Sequence, residues 1–413
     1  MWSLCGVTRV DIPVSLAGLG EPAATSHPFW GRAFRPFFLL GCVQAAFLVP
    51  LWTAMWRGAV PAPAWLTPPW WHAHEMLFGF VAAAIAGFLL TAAPVWTGRP
   101  ALTGAPLAAL VALWVAGRAA MLAAGVLPPA LVALVDGAFL PAVALVVTRT
   151  VWRTGQVRNY GVVAMVMVLA ATNLAVHAQA LDLADASAAR GLRCALDLVT
   201  ALVVVIGGRI TPAFTANAFL RAGIDAEVRG WRWLDRLAVA TAVLVVVGDL
   251  VAPGTAASGV LAGAAALAVG ARLAGWRSLR TWRDPLVWSL HAGMAWVVVG
   301  YLLVAASNLG AAIAPSAGVH ALTAGAMGAM IMAVVTRVSL GHTGRPLVLP
   351  RGAAAAYGLV HAGALLRVCA AIHAGAAGTL LVAGGLVWAA AFAVFVWVYA
   401  PILVSARADG KPG

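Results

Sequence analysis

Apolar runs of about 20 residues, each closed by a charged or Pro/Gly-rich break, follow one another along the chain. That length is what a helix needs to cross a bilayer core of roughly 30 Å. The runs centre near Ala46, Ala84, Leu113, Ala138, Leu169, Leu202, Val243, Ala264, Val297, Met327, Leu365 and Ala391. The pattern predicts an all-α polytopic membrane bundle of about twelve transmembrane helices, with no strands. Two breaks are thin. Only Gly125 and Pro128-Pro129 separate the third run from the fourth, and Asp249 to Gly254 the seventh from the eighth.

Composition excludes a water-soluble fold, because 63% hydrophobic and 9% charged residues over 413 positions leave too little polar surface to face water. The longest polar interruption, Ile210 to Arg236, is too short to fold alone. The expected organisation is a cytoplasmic segment 1–33, one membrane domain 34–404 and a short cytoplasmic tail 405–413. Residues 1–33 lack the apolar core of a cleavable signal peptide. Small residues four apart, Gly259 and Gly263, Ala324 and Gly328, suit close helix packing in lipid.

The net charge of +13 sits in short connections between spans. Counting basic residues by alternate loops puts 21 of 26 on the side of the N-terminus, and only Arg57, Arg118, Arg190, Arg193 and Arg367 elsewhere. This asymmetry predicts both termini in the cytoplasm. Anionic lipid of the surrounding bilayer is the partner such loops imply; no basic platform for nucleic acid appears. Arg193 and Asp197, four apart on one helix, are expected to pair. Cys5, Cys42, Cys194 and Cys369 show no CxxC spacing and read as free thiols.

Histidine placement carries the chemistry. Ionisable side chains at membrane depth are costly and mark functional sites, and neutral imidazole suits haem iron, copper and zinc. His72 and His74 open the second run, His177 lies near the end of the fifth, and His320 lies about one turn into the tenth. Alternating topology gives these four a similar, outer depth, so an outer metal centre of His72, His74, His177 and His320 is expected. His291 and His342 belong to the inner half, with Arg337 and Arg345 available to pair with anionic cofactor groups such as haem propionates.

His72 and His74, two apart, chelate one ion only from an extended segment. On a regular helix they turn about 200° apart and serve two sites. Glu75 has three readings: a carboxylate that orients a histidine, a proton relay, or a helix-start cap. His27, His361 and His373 read as packing or loop residues.

These stretches resemble the NnrS family of bacterial membrane proteins over nearly the whole chain. The signatures are FRPFFLLG at 34–41, WHAHEMLFGFVAAAIAGFLLTAAPVWTGRP at 71–100, GGRITPAFTAN at 207–217 and HALTAGAMGAMIMAVVTRVSLGHTGRPL at 320–347. Ala93-Pro94-Val95-Trp96 departs from a pattern with Asn before the Trp. The resemblance implies a haem- and copper-containing, multi-pass inner-membrane protein of the bacterial response to nitric oxide, in denitrification and nitrosative stress. It carries the family's histidines onto His72, His74, His177, His291, His320 and His342. Two rival readings are a membrane oxidoreductase resembling the haem-copper oxidases and nitric oxide reductases, and a transporter of a small solute or copper. Against the first, no His-His pair and no HxxxY follows a span.

Overall fold

A computed structural model of the protein describes residues 27–63, 66–154 and 159–411. Cys5, Arg9, Arg158 and most of segment 1–33 lie outside the described residues. Among those described there is no strand, and the chain is a polytopic helical membrane bundle.

Eleven helices are long and apolar enough to cross a membrane: α1 (Phe34–Trp56), α2 (Pro68–Thr97), α3 (Gly104–Leu122), α4 (Pro129–Val151), α5 (Tyr160–Ala180), α6 (Ser187–Arg221), α8 (Ala256–Gly275), α9 (Pro285–Asn308), α10 (Pro315–His342), α11 (Ala353–Ile372) and α12 (Ala374–Val404). The remaining long helix, α7 (Arg232–Val251), has the 20-residue length but carries Arg232, Asp235, Arg236 and Asp249. Both thin breaks hold: α3 stops at Leu122 before α4 begins at Pro129, and α7 stops at Val251 before α8 begins at Ala256.

The interruption Ile210 to Arg236 is only partly a loop. Helix α6 runs on through Pro212 to Arg221, so its 35 residues, about 52 Å long, outreach a bilayer core.

Burial singles out two helices. The apolar window of α2 is 83% buried and that of α10 67%, against 33% for α12, so α2 and α10 form the interior of the bundle. Both begin at proline, run as α-helix as far as a histidine, and then widen into seven-residue π-helices, Glu75–Val81 after His74 and Ala321–Met327 after His320. A π-turn shifts hydrogen bonds out of the i to i+4 register and frees carbonyls that lipid cannot satisfy. Tryptophans from neighbouring helices meet them. Trp114 Nε1 donates to Gly79 O at 3.1 Å, and Trp388 Nε1 to Ala324 O at 3.0 Å.

Small residues let helices approach. Gly259 faces Ala305, Asn308 and Leu309 of the α9 end, as its spacing predicts. Contact is tightest between α11 and α12, where a Cβ on Gly363 would fall 2.6 Å from the Trp388 backbone nitrogen. A backbone cannot yield as a side-chain tip can. Gly363→Ala is expected to cost about 1–3 kcal/mol, read as a lowered melting temperature of the purified protein.

The expected pair Arg193–Asp197 forms at 3.3 Å, and Asp249 from α7 joins it, with Arg193 Nε donating at 2.7 Å. Cys42, Cys194 and Cys369 are free.

Candidate metal centre

Alternate helices run in opposite directions, so the start of α2, the start of α4 and the ends of α3 and α5 lie at one end of the bundle. Four buried groups meet there: His74 of α2, Arg118 of α3, Asp136 of α4, and His177 of α5. Asn173 stands one turn before His177 on the same face of α5.

Asp136 is the hub. His177 Nε2 donates to Asp136 Oδ2 at 2.7 Å, Asn173 Nδ2 donates to the same oxygen at 2.9 Å, and His74 Nε2 lies 3.2 Å from it. Ligand atoms of His74, Asp136 and His177 all lie within 4.8 Å of one another, and every one of these residues is buried. The three can therefore hold a metal ion. Tetrahedral bonds of about 2.0–2.2 Å space ligand atoms roughly 3.4 Å apart, so the His177–Asp136 contact of 2.7 Å must open by about 0.7 Å, a side-chain adjustment.

Tautomers follow from the hydrogen bonds. Asn173 gives its amide N–H to Asp136, so its carbonyl oxygen faces His74, and His74 Nε2 donates to it at 2.8 Å. The other nitrogen, His74 Nδ1, stands 3.2 Å from Glu75 Oε1. An ion that takes Nε2 moves the proton to Nδ1, where the Glu75 carboxylate accepts it, the usual way a carboxylate orients a metal-bound imidazole. Of the three readings of Glu75, this geometry favours the orienting one. Glu75→Gln is expected to weaken metal binding about 10- to 100-fold without abolishing it, measured by competition with a chelator.

Two carboxylates this deep need a cation. Arg118 supplies it by donating to both Glu75 and Asp136, while Gln44 Nε2 donates to Glu75 Oε2 at 3.3 Å.

The four outer histidines do not form one set. His72 and His74 lie on a regular helix, Pro68–His74, and turn apart, so the split arrangement is the one adopted. His72 stacks on Trp52 of α1, ring centroids 4.7 Å apart and planes 13° from parallel. His72, His320 of α10 and Arg367 of α11 lie within electrostatic reach of one another. His320 Nδ1 donates to Ser316 O at 2.7 Å, which leaves the lone pair on Nε2. That is the tautomer of a ligating histidine.

The inner histidines are placed differently. Thr215 gives its hydroxyl proton to Thr211 O, so His291 Nε2 donates to Thr215 Oγ1 at 2.8 Å; Ser278 Oγ lies 2.9 Å from Nδ1. His291 is fully partnered within the protein. His342 packs on Phe34, with ring centroids 5.6 Å apart. Arg337 lies over the Phe214 ring near Arg221 and Asp284, whereas Arg345 lies near Arg35. The structure thus puts His291 and Arg337 apart from His342 and Arg345, which share the neighbourhood of Arg35 and Arg407, so the four do not surround one inner group. His361 accepts a hydrogen bond from Trp296 Nε1 at 3.0 Å.

Sequence reasoning passed over Arg118, Asp136 and Asn173 as site residues. One signal was available. His74 and His320 are each followed, 23 residues later, by the same Thr-Gly-Arg-Pro, at 97–100 and at 343–346. Both repeats end their helices, Gly98 (φ 69°) and Gly344 (φ 72°) being left-handed. The next helix then carries a lone arginine near its far end, Arg118 in α3 and Arg367 in α11, each at a histidine group.

A buried two-histidine, one-carboxylate group within a bundle of membrane-length helices defines the class: a polytopic membrane protein with an interior site able to hold a metal ion. The chain belongs to the NnrS family, whose model, described as NnrS protein, matches residues 28–407. No curated protein matches it.

Proposed function

We propose that this protein is an inner-membrane metal-centre protein of bacteria that binds nitric oxide or a derived nitrosyl species, limiting nitrosative damage or conveying the signal. The observation that carries the reading is the convergence of His74, Asp136 and His177 inside the bundle. Two imidazoles and a carboxylate suit copper, iron or zinc, and of these copper and iron bind nitric oxide. Copper is the ion we assign to this group. Haem is assigned to the second group, where His320, with its Nε2 lone pair free, would hold the iron and Arg367, within electrostatic reach of His320, would balance anionic cofactor groups.

When bound, copper or haem iron supplies an open coordination position and a redox-active centre. The chain supplies the rest. Without the ion, Asn173 and Asp136 hold the His74 and His177 rings through the Nε2 atoms that would turn to the metal; Glu75 is placed to accept the His74 Nδ1 proton, and Arg118 balances the carboxylates. Burial excludes water. Nitric oxide is small, uncharged and lipid-soluble, so a site within the bilayer suits it. The positive-inside count supports an outward end for His74, His177 and His320, with both termini in the cytoplasm.

The test is metal analysis and spectroscopy of the purified protein with and without nitric oxide. We expect about one copper per chain, with an EPR or optical spectrum that nitric oxide changes. Protein that retains neither copper nor haem, or whose spectra ignore nitric oxide, would overturn the reading.

A further inference from the structure

The end of the bundle opposite His74, His177 and His320 gathers arginine around His342. Arg32 and Arg35 stand at the start of α1, Arg345 follows α10, and Arg407 follows α12. The chain after α12 closes over this end: Ala408 N donates to Thr343 O at 2.9 Å and Arg407 Nη1 to His342 O at 2.9 Å. Arg35 lies near both Arg345 and Arg407, and Arg32 near Arg407.

Acceptors do not match this charge. The carboxylate found there among the described residues, Asp409, takes Arg407 Nε at 2.9 Å and Nη2 at 2.6 Å, and that pairing holds its carboxyl low, at about 2. Arg35 is 0% exposed and spends Nη1 on Leu403 O and Ser405 O, at 2.8 and 2.6 Å. Its Nε and Nη2, and Nη1 of Arg345, are buried without an acceptor among the described residues. Buried donors on a charged group are costly to leave unpaired. At the start of α1 Phe34 N donates to Thr91 Oγ1 at 3.1 Å, and the helix start adds its own partial positive charge.

We infer that Arg35 and Arg345 hold a phosphate group between them at this end of the bundle, with Arg32 adding charge. Three cationic side chains without a carboxylate among the described residues, and three buried donor nitrogens without an acceptor there, call for an anion with several acceptor oxygens. Guanidinium groups bind phosphate by paired, charge-assisted hydrogen bonds. The phosphate has two sources, the headgroup of an anionic phospholipid at the membrane surface and free inorganic phosphate. The site is separate from the histidine groups and does not depend on the function proposed for them.

The experiment uses the full chain in detergent, stripped of lipid, and compares wild type with Arg345→Gln and Arg32→Gln. These variants leave intact the Arg35 bonds that tie down the C-terminal tail. Melting is followed by tryptophan fluorescence with inorganic phosphate, with chloride at equal ionic strength, and in nanodiscs of phosphatidylglycerol or phosphatidylcholine. Native mass spectrometry reads lipid retained on the chain. We expect stabilisation by inorganic phosphate beyond chloride, or by phosphatidylglycerol beyond phosphatidylcholine with one phospholipid retained. The first outcome identifies a free anion and the second a headgroup. Arg345→Gln should weaken the effect at least about fivefold, since it removes one charge-assisted donor group. The proposal falls if neither phosphate source stabilises the wild type, or if Arg345→Gln responds as the wild type does.

Discussion

Replacing Arg118 with Ala is expected to destabilise the protein by about 3–5 kcal/mol, the usual consequence of stranding buried charge. Glu75 and Asp136 are each about 1% exposed, and Arg118 donates to both. Without the guanidinium, neither water nor lipid replaces it. The measurement is the yield of folded protein and its melting temperature in detergent. Arg118→Met combined with Glu75→Gln and Asp136→Asn removes the charges together and should recover much of the loss. If Arg118→Ala melts like the wild type, the guanidinium is not what holds Glu75 and Asp136 in place.

The second large effect concerns metal. Asp136→Asn keeps the shape of the hub but removes the anionic ligand, and His177→Ala removes an imidazole. Each should lower metal affinity by at least about 100-fold, more than a partner outside the ligand set does. His291→Ala should leave it unchanged, because both nitrogens of that ring already bond to hydroxyl groups. Chelator competition followed by elemental analysis reads all three. Equal retention of metal by Asp136→Asn and by the wild type would remove the carboxylate from the site.

Helix number was legible because the bilayer sets a length that the apolar runs must meet, and even the thin breaks at Pro128-Pro129 and Asp249 to Gly254 end helices as expected. The length of α6 was not, since polar residues outside the hydrocarbon neither require nor forbid a helix. His74 and His177 were legible as one centre because depth follows from counting residues along alternate helices. Depth carries no azimuth, however. Which way His72 faces depends on Pro68–His74 being a regular helix, and Asp136 joins His177 only because α4 packs on α5. The inner set of His291, His342, Arg337 and Arg345 had depth in its favour, but only His342 and Arg345 share neighbours, beside Arg35 and Arg407.

The π-helix after His74 has a further consequence. A bulge holds one surplus residue per turn of wound backbone, so winding the same seven residues, 75–81, at ordinary pitch with none removed would over-turn the helix by about one residue. Everything upstream would then swing by roughly 100° about the axis. Because His72 and His74 ride on that same short lead segment, the rotation would carry one away from Trp52 and the other away from Asp136 in a single motion. The bulge acts as the phase-setting joint for both histidine groups.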